Sequence, residues 1–397
     1  MRDLRRLSIL IVSWNGREHL EICLPSLLEQ RGAATCEVEI LVLDNGSTDD
    51  TVTWIGREHP EVVLIRSERN VGFAGGNNRL AREATGDVLL LINNDTRADP
   101  DLLATYADAW QSAPADVAAL GGVLTDWSGE RLDFGRGVMT FDGHAFALDQ
   151  GRALASARLP EPGEELLFAC GGNLLIGRRA FLDAGGFDET YFAYFEDVDL
   201  GWRLWSGGER VLACPQARAC HRQSATGARL GHSRRGAMFE RNALVTVAKN
   251  LEGELRDRLM PAVLLTYLSR LSAMAEPWPP VPVPGRRAKW AARLRRWAAR
   301  LAPASAAGVD LPHPQAPAQV AGIGAFLAAL DQTEAERARL AARRRRSDRE
   351  IFERFPLWVV PTYPGDERLF ASAAFQGWLP DDLELRFAGL DEVIELP

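Results

Sequence analysis

Between residues 88 and 95 the chain reads Val-Leu-Leu-Leu-Ile-Asn-Asn-Asp, an apolar run that stops on two amides and a carboxylate. A run of that length without polar alternation is buried on both faces, so it predicts a strand inside a parallel sheet covered by helices. Asp95 then stands at the carboxyl edge of the sheet, where open α/β folds bind their ligands. A carboxylate there is placed to hold a cation against a ligand's phosphates. Three further runs, 7–12, 38–43 and 62–66, precede it, and stretches such as 17–30 and 76–85 between them have helical length and composition. Repeated βα units of this kind predict a nucleotide-binding α/β half-domain.

After this unit, Asp99-Pro100 followed by Leu102, Leu103, Tyr106 and Trp110 predicts a capped helix with an apolar stripe. Residues 118–162 are Gly-rich and mixed in pattern, and read as a β-excursion or loop. Residues 276–285, Glu-Pro-Trp-Pro-Pro-Val-Pro-Val-Pro-Gly, exclude helix and central strand and predict an extended linker, and 302–319 is a second Pro/Ala-rich linker. The expected division is a catalytic domain over 1–250 and a helical C-terminal region over 251–397.

With 46 Lys and Arg against 54 Asp and Glu, the net charge of −8 argues against nucleic acid as a partner. Five cysteines without a CxxC pair suggest neither a disulfide framework nor a zinc site, so a reducing cytoplasm is the expected compartment. The apolar run 7–12 is too short for a signal-peptide core, and 259–275 contains Arg270 and falls short of a membrane span.

Several constellations can carry chemistry. Asp44-Asn45-Gly46-Ser47-Thr48-Asp49-Asp50 follows the second strand at the same sheet edge as Asp95. Asp44 can accept the imide N–H of a pyrimidine there, while Asp49 or Asp50 can equally cap the next helix. Residues 69–78 form a Gly/Asn loop, Arg-Asn-Val-Gly-Phe-Ala-Gly-Gly-Asn-Asn, able to approach a ligand closely but lacking the spacing of a dinucleotide fingerprint or a phosphate loop. In Tyr191-Phe192-Ala193-Tyr194-Phe195-Glu196-Asp197-Val198-Asp199 an aromatic run leads to acids at a helix start. Either the acids cap that helix, with Asp199 pairing Arg203, or one of them is a general base. His221 can be a metal ligand or a satisfied core residue.

Taken in order, Val12-Ser13-Trp14-Asn15, the Asp44 to Asp49 run, Asn70-Val71-Gly72-Phe73-Ala74, Asn93-Asn94-Asp95, Gly171-Gly172-Asn173, Gly185-Gly186-Phe187-Asp188-Glu189 and Phe195-Glu196-Asp197-Val198-Asp199 resemble family 2 glycosyltransferases. The likeness covers roughly residues 7–250, and the wording is most similar to the bacterial rhamnosyltransferase-like branch. It implies an α/β GT-A (nucleotide-diphospho-sugar transferase, Rossmann-like) fold with a mainly helical C-terminal extension. It also implies an inverting transfer from a nucleotide-sugar donor, dTDP-rhamnose or a UDP-sugar, with a divalent cation, Mg²⁺ or Mn²⁺. On these positions it implies donor contacts from Val12, Asn15, Asp44, Asn70, Phe73, Asn78, Asn93 and Asn94, metal ligation by Asp95 and His221, and an acceptor side at Gly171, Gly172 and Asn173. Asp197 is implied as base, with Glu196 as the alternative, and Arg241 matches a position able to face the diphosphate. The family's processive synthases carry Gln-x-x-Arg-Trp, which is absent, so one sugar per encounter is expected, onto a glycan or polyprenyl-linked acceptor of the bacterial surface.

Residues 286–301 hold seven basic residues and no acid, with Trp290, Leu294, Trp297 and Leu301 on one helical face. Such a helix suits peripheral contact with an anionic membrane surface or packing on the catalytic domain. The run Arg343-Arg344-Arg345-Arg346 beside Asp348 and Glu350 reads as a solvated helix face. Two other functions compete. A nucleotidyltransferase would need a basic Gly-rich loop after the first strand, where Ser13-Trp14-Asn15-Gly16 stands, and a silent carbohydrate-binding scaffold would have lost Asp95 or Asp197.

Overall fold

The computed structural model describes residues 2–31, 36–222, 231–274, 313 and 315–394. The expected linker 276–285 and the basic helix 286–301 lie outside the described residues, as does most of the linker 302–319. Strands β1 (Arg6–Ser13), β2 (Glu37–Asp44), β3 (Val63–Arg66) and β4 (Val88–Ile92) pair in parallel in the order β3-β2-β1-β4, so their carboxyl ends share one edge. Side chains alternate across the strands. Leu7, Ile9, Ile11, Val88, Leu90 and Ile92 join Leu20, Cys23 and Leu24 of helix α1 (Arg17–Leu28) in one core, with Trp54 and Ile55 of α2 (Thr51–Glu58). Leu10, Leu41, Leu43, Leu89 and Leu91 join Leu80 and Ala81 of α3 (Gly72–Glu83) in the other. All five residues of β4 are buried, as its apolar run requires.

α3 begins one turn earlier than its expected start, so most of the predicted Gly/Asn loop is helix. The reason is packing. A Cβ on Gly76 would lie 2.7 Å from Val12 Cγ2, and only glycine lets the helix rest directly on β1. The sheet continues past β4 through antiparallel β10 (Asn173–Gly177) to β6 (Val117–Thr125), β11 (Arg210–His221) and β5 (Thr96–Ala98). β6 is a nine-residue strand buried throughout, inside the stretch expected as β-excursion or loop. Its Gly121 and Gly122 are strand residues because Ala169, Asn173 and Tyr106 occupy the space a side chain would need. α4 (Leu102–Ser112) buries the expected Leu102, Leu103, Tyr106 and Trp110, and its N-cap position is Asp101 rather than Asp99.

β7 (Leu132–Phe134) pairs with β6, and β8 (Gly137–Met139) with β9 (Ala145–Ala147) makes a separate hairpin. The short α5 (Arg178–Asp183) and then α6 (Glu196–Ser206) precede β11, and α7 (His232–Asn250) and α8 (Gly253–Met274) follow it. The helix Ala316–Ala328 starts inside the expected linker 302–319, with Pro317 in its first turn. Helices Leu330–Arg343 and Asp348–Arg354 and a small parallel sheet of Leu357–Val359 with Leu385–Phe387 complete the C-terminal region. One core runs through both parts: Trp202 and Trp205 of α6 meet Phe352 and Phe355 edge-on at 5.1 and 4.9 Å.

Arg344 and Arg346 are not on a solvated face. Arg346 donates to the backbone oxygens of Trp205, Gly208 and Glu209, and Arg344 Nη1 lies 2.7 Å from Asp348 Oδ1, which also accepts from Trp202 Nε1. Arg346 thus satisfies carbonyls at the end of α6, while Arg344 ties Asp348 to the carbonyl of Asn250. No helix among the described residues is long and apolar enough to cross a membrane.

Candidate active site

β4 delivers Asn93-Asn94-Asp95 to the sheet edge, and β11 ends opposite, with His221 registered against Thr96 of β5. Asp95 is buried at 5% exposure, and its Oδ1 lies 3.2 Å from His221 Nε2. The other ring nitrogen, Nδ1, is 2.7 Å from Asp133 Oδ2 on β7. Burial works against the Asp95 carboxylate, yet bonding to His221 outweighs it and holds the group below its usual range. Burial likewise disfavours the imidazolium, and the bonds to Asp133 and Asp95 reverse this, pushing His221 up to about 10.

This donor set fits a divalent cation, which would take the place of the proton on His221 Nε2. A carboxylate–histidine pair has the ring oriented by Asp133 so that Nε2 faces Asp95, the arrangement that tunes metal-bound imidazoles. No group of three metal-binding side chains exists among the described residues, so the other ligands would come from water and donor phosphates, as hard cations such as Mg²⁺ accept. Asn94 is no acid and turns away to donate to Ser13 Oγ at 3.0 Å, while Asn93 Nδ2 lies 3.1 Å from His221 Nε2.

The second carboxylate pair stands at the start of α6, behind strained backbone. Phe192, Tyr194 and Phe195 have φ of 64°, 71° and 69°, and none is glycine. Each such residue costs on the order of 1–3 kcal/mol and persists only where its surroundings impose it. Here Asn242 of α7 imposes it: its Nδ2 donates to the carbonyls of Tyr191, Ala193 and Tyr194 at 3.2, 2.9 and 2.8 Å. Ala74 N–H donates to Phe192 O at 3.2 Å, and Arg241, expected to face a diphosphate, instead donates to Thr190 O at 2.7 Å.

Asp197 Oδ2 accepts from Gly171 N–H at 3.1 Å and Oδ1 from its neighbour Val198 N–H at 2.9 Å. Glu196 Oε2 is buried with no hydrogen-bond partner. Burial raises both groups. The nearby Asp197 charge lifts Glu196 further, whereas the two backbone N–H groups pull Asp197 back. Adjacent carboxylates do not ionise together readily, and the backbone N–H groups on Asp197 make it the first of the two to ionise, with Glu196 holding its proton to higher pH. Asp199 is structural: despite burial, Arg203 and Lys249 hold it down at about 2, and Arg203 Nε lies 2.8 Å from its Oδ2.

A cavity of about 470 Å³ unites the two pairs and is of small-ligand size. Val12, Asn70, Phe73, Asn93, Asn94, Asp95, Gly171, Gly172, Glu196, Asp197 and His221 all line it. A Cβ at Gly172 would stand 2.9 Å from Asn93 Nδ2 and displace that amide from the wall.

Four expected residues do not line it. Asn78 accepts from Phe187 N–H at 2.8 Å and donates to Phe187 O at 2.7 Å, which uses its amide as a clamp between α3 and the 185–189 loop. Asn173 donates to Ala217 O and Val123 O and accepts from Tyr106, bridging three strands. Asp44 is buried and accepts from Ser47 N–H at 3.3 Å, leaving its neighbour Asn45 at the wall. Asn15 accepts from Thr48 N–H at 2.7 Å and borders a shallow depression beside the cavity with Arg17 and Asp49. The N-cap position of α2 is Asp50, which makes no side-chain cap bond, while Asp49 before it accepts from Thr51 N–H at 3.1 Å.

Asp133 and the aromatic lining from Phe134, Phe146, Phe168 and Phe239 escaped the sequence reading. The first two and Phe146 lie in the stretch without periodicity, and no spacing relates them to the site.

Comparison with known proteins gives a consistent result. The sequence model described as glycosyl transferase family 2 matches residues 8–183. An N-acetylglucosaminyl-diphospho-decaprenol L-rhamnosyltransferase of Mycobacterium tuberculosis is 30% identical over 238 residues, covering 55% of this chain and 76% of that protein. An O-antigen biosynthesis protein of Myxococcus xanthus is 29% identical over 234 residues, 57% of this chain and 18% of that one. Among solved structures, GalNAc-T7 with UDP, GalNAc and Mn²⁺ aligns with a TM-score of 0.50 at 16% identity, over 79% of this chain and 59% of that chain, a likeness of fold.

Proposed function

The chain belongs to glycosyl transferase family 2 and has the GT-A fold, and from that premise we propose that it moves one sugar, with inversion, from a nucleotide-diphosphate sugar to a glycan or polyprenyl-linked acceptor in bacterial surface polysaccharide synthesis. The 30% identity to a protein named for L-rhamnose transfer onto a diphospho-decaprenol supports dTDP-rhamnose as donor, with a UDP-sugar as the alternative. The observation that carries this reading is the single cavity lined by both Asp95 with His221 and Glu196 with Asp197.

In this reading residues 1–250 are the catalytic domain, and Val12, Asn70, Phe73, Asn93 and Asn94 form the donor side, with Asp44 and Asn15 at its margin. Asp95 and His221 hold the cation, which when bound neutralises the charge building on the leaving diphosphate. Asp197 takes the proton of the acceptor hydroxyl. That oxygen bonds to the anomeric carbon while the carbon–oxygen bond to the diphosphate breaks, and one in-line step inverts the centre without a covalent sugar intermediate. Glu196, protonated, keeps a second negative charge away from Asp197. The enzyme meets a lipid-linked acceptor at the cytoplasmic face of the membrane, peripherally, with residues 286–301 as the contact.

Calorimetric titration of UDP, dTDP and GDP, each with and without Mn²⁺, into the wild type and Asp95→Ala tests the reading. Mn²⁺-dependent binding of one pyrimidine diphosphate, lost in Asp95→Ala, is expected. Absence of binding by all three would turn the reading toward a silent scaffold.

A further inference from the structure

The β8–β9 hairpin has two unlike ends. β9 places Ala145, Phe146 and Ala147 on the cavity wall. The turn, 140–144, is buried against the C-terminal region: Phe141 N–H donates to Trp358 O at 3.0 Å, and the Phe141 ring meets Phe370 and Phe375 edge-on at 5.6 and 5.7 Å. Asp142 Oδ2 lies 2.7 Å from Arg270 Nη1 of α8, and Arg270 Nε lies 2.9 Å from Asp366 Oδ1. His144 Nδ1 is 3.1 Å from Asp142 Oδ2, its Nε2 faces Glu240 of α7 at 3.5 Å, and Tyr363 donates to Glu240. Phe146 packs against the cluster that Val138 and Leu148 form with Trp358, Val360 and Val393 of the C-terminal region, so the residue at the wall is tied to that region.

These charged groups are desolvated, with Arg270 only 1% exposed. Burial disfavours the His144 imidazolium, but Asp142 and Glu240 push the group up to about 9, so it stays charged at neutral pH. A buried ion network is a weak source of stability compared with apolar side chains of the same volume. What it supplies is direction, because the planar guanidinium holds Asp366 through Nε and Nη2 at 2.9 and 3.0 Å, at angles a hydrophobic contact would not fix, and so aims Nη1 at Asp142 as an ion pair. The same imidazole touches Phe195, the residue before Glu196, edge-on at 6.3 Å. None of these groups reaches Asp95, His221 or the α3 side of the cavity.

We propose that Asp142, His144, Arg270 and Asp366 form a positioning device by which the C-terminal region sets the hairpin, so that Phe146 becomes the wall on which the apolar face of the acceptor sugar lies. The proposal rests on the transferase reading for its substrate, and on the geometry alone for the anchor. The residues act through the hairpin and touch no reacting atom.

The test uses the full chain with three readouts: hydrogen exchange over 137–147, calorimetric affinity for the bound nucleoside diphosphate with Mn²⁺, and the acceptor KM with N-acetylglucosaminyl-diphospho-decaprenol and dTDP-rhamnose as probes. Arg270→Lys keeps the charge and loses the fork. It should speed exchange over 137–147 and raise the acceptor KM by about tenfold or more, while nucleotide affinity stays within about twofold. Phe146→Ala leaves the cluster whole, and should raise the KM similarly with exchange in the 140–144 turn unchanged. Unaltered exchange in Arg270→Lys, or a nucleotide affinity falling in parallel with acceptor KM, overturns the anchor, and an unaltered KM in Phe146→Ala overturns the wall. A wild type that binds no nucleotide refutes the transferase reading instead, and exchange still judges the anchor.

Discussion

Asp95 ends a buried strand of ordinary backbone and has His221 at 3.2 Å, whereas Asp197 follows three left-handed residues and leans on two amide N–H groups. The first carboxylate is held below its usual range by its cationic neighbour, and the second is raised by burial. In the proposed roles, the group that holds a cation is thereby kept anionic, and the one that accepts a proton is made more basic. The contrast extends to support. The Asp95 side is anchored by sheet register and by Asp133, while the Asp197 side depends on one amide, Asn242, fastening a loop that would otherwise relax.

The sharpest way to break this contrast is to alter the proposed base alone. Asp197→Asn should lower transfer by about 10²–10⁴-fold, the ordinary worth of a general base, while leaving calorimetric nucleotide binding intact. Retained transfer would remove Asp197 from the role. On the other side, Asp133→Asn leaves every proposed cation ligand in place but weakens the partner orienting His221. Mn²⁺-dependent nucleotide affinity should drop by about 10–100-fold, and an unchanged Mn²⁺ titration would show that Asp133 does not orient the ring.

The smallest effect is in the pH profile. A base must be ionised to act, and burial raises Asp197 above the 3.8 ordinary for an aspartate. Activity is therefore lost as pH falls through that raised value, and the acid limb of kcat/KM should lie above the usual aspartate range. Asp95, shifted the other way, titrates below this limb. Glu196→Gln removes the group that ionises second, so the limb should remain; a limb that vanishes would make Glu196 the base.

The four parallel strands and Asp95 were legible because an aliphatic run of strand length leaves few other folds open. β6 was not, since Gly121 and Gly122 look like loop punctuation in sequence and act as space for Asn173, Tyr106 and Ala169 in the fold. The ordered motifs drew Asn93, Asn94, Asp95, Glu196, Asp197 and His221 to one cavity. The same motifs also marked Asn78 and Asn173, because an amide that binds a ligand and one that satisfies a buried backbone carbonyl are the same residue type at the same place in the chain. Asp133 and Arg346 were beyond reach for a different reason. Their partners, His221 and the carbonyls of 205–209, stand 88 or more residues away, and nothing local distinguishes them from surface charges.

Gly72 carries a consequence for how such a sequence can diverge. A single added carbon there would collide with the Phe192 carbonyl, in the strained loop that presents Glu196 and Asp197. The ring of Phe192 can be exchanged for another and its oxygen stays put, but residue 72 can acquire nothing. Descent along this lineage is thus policed at 72 by a missing atom, and a survey that ranks positions by the chemistry of their side chains would pass over it.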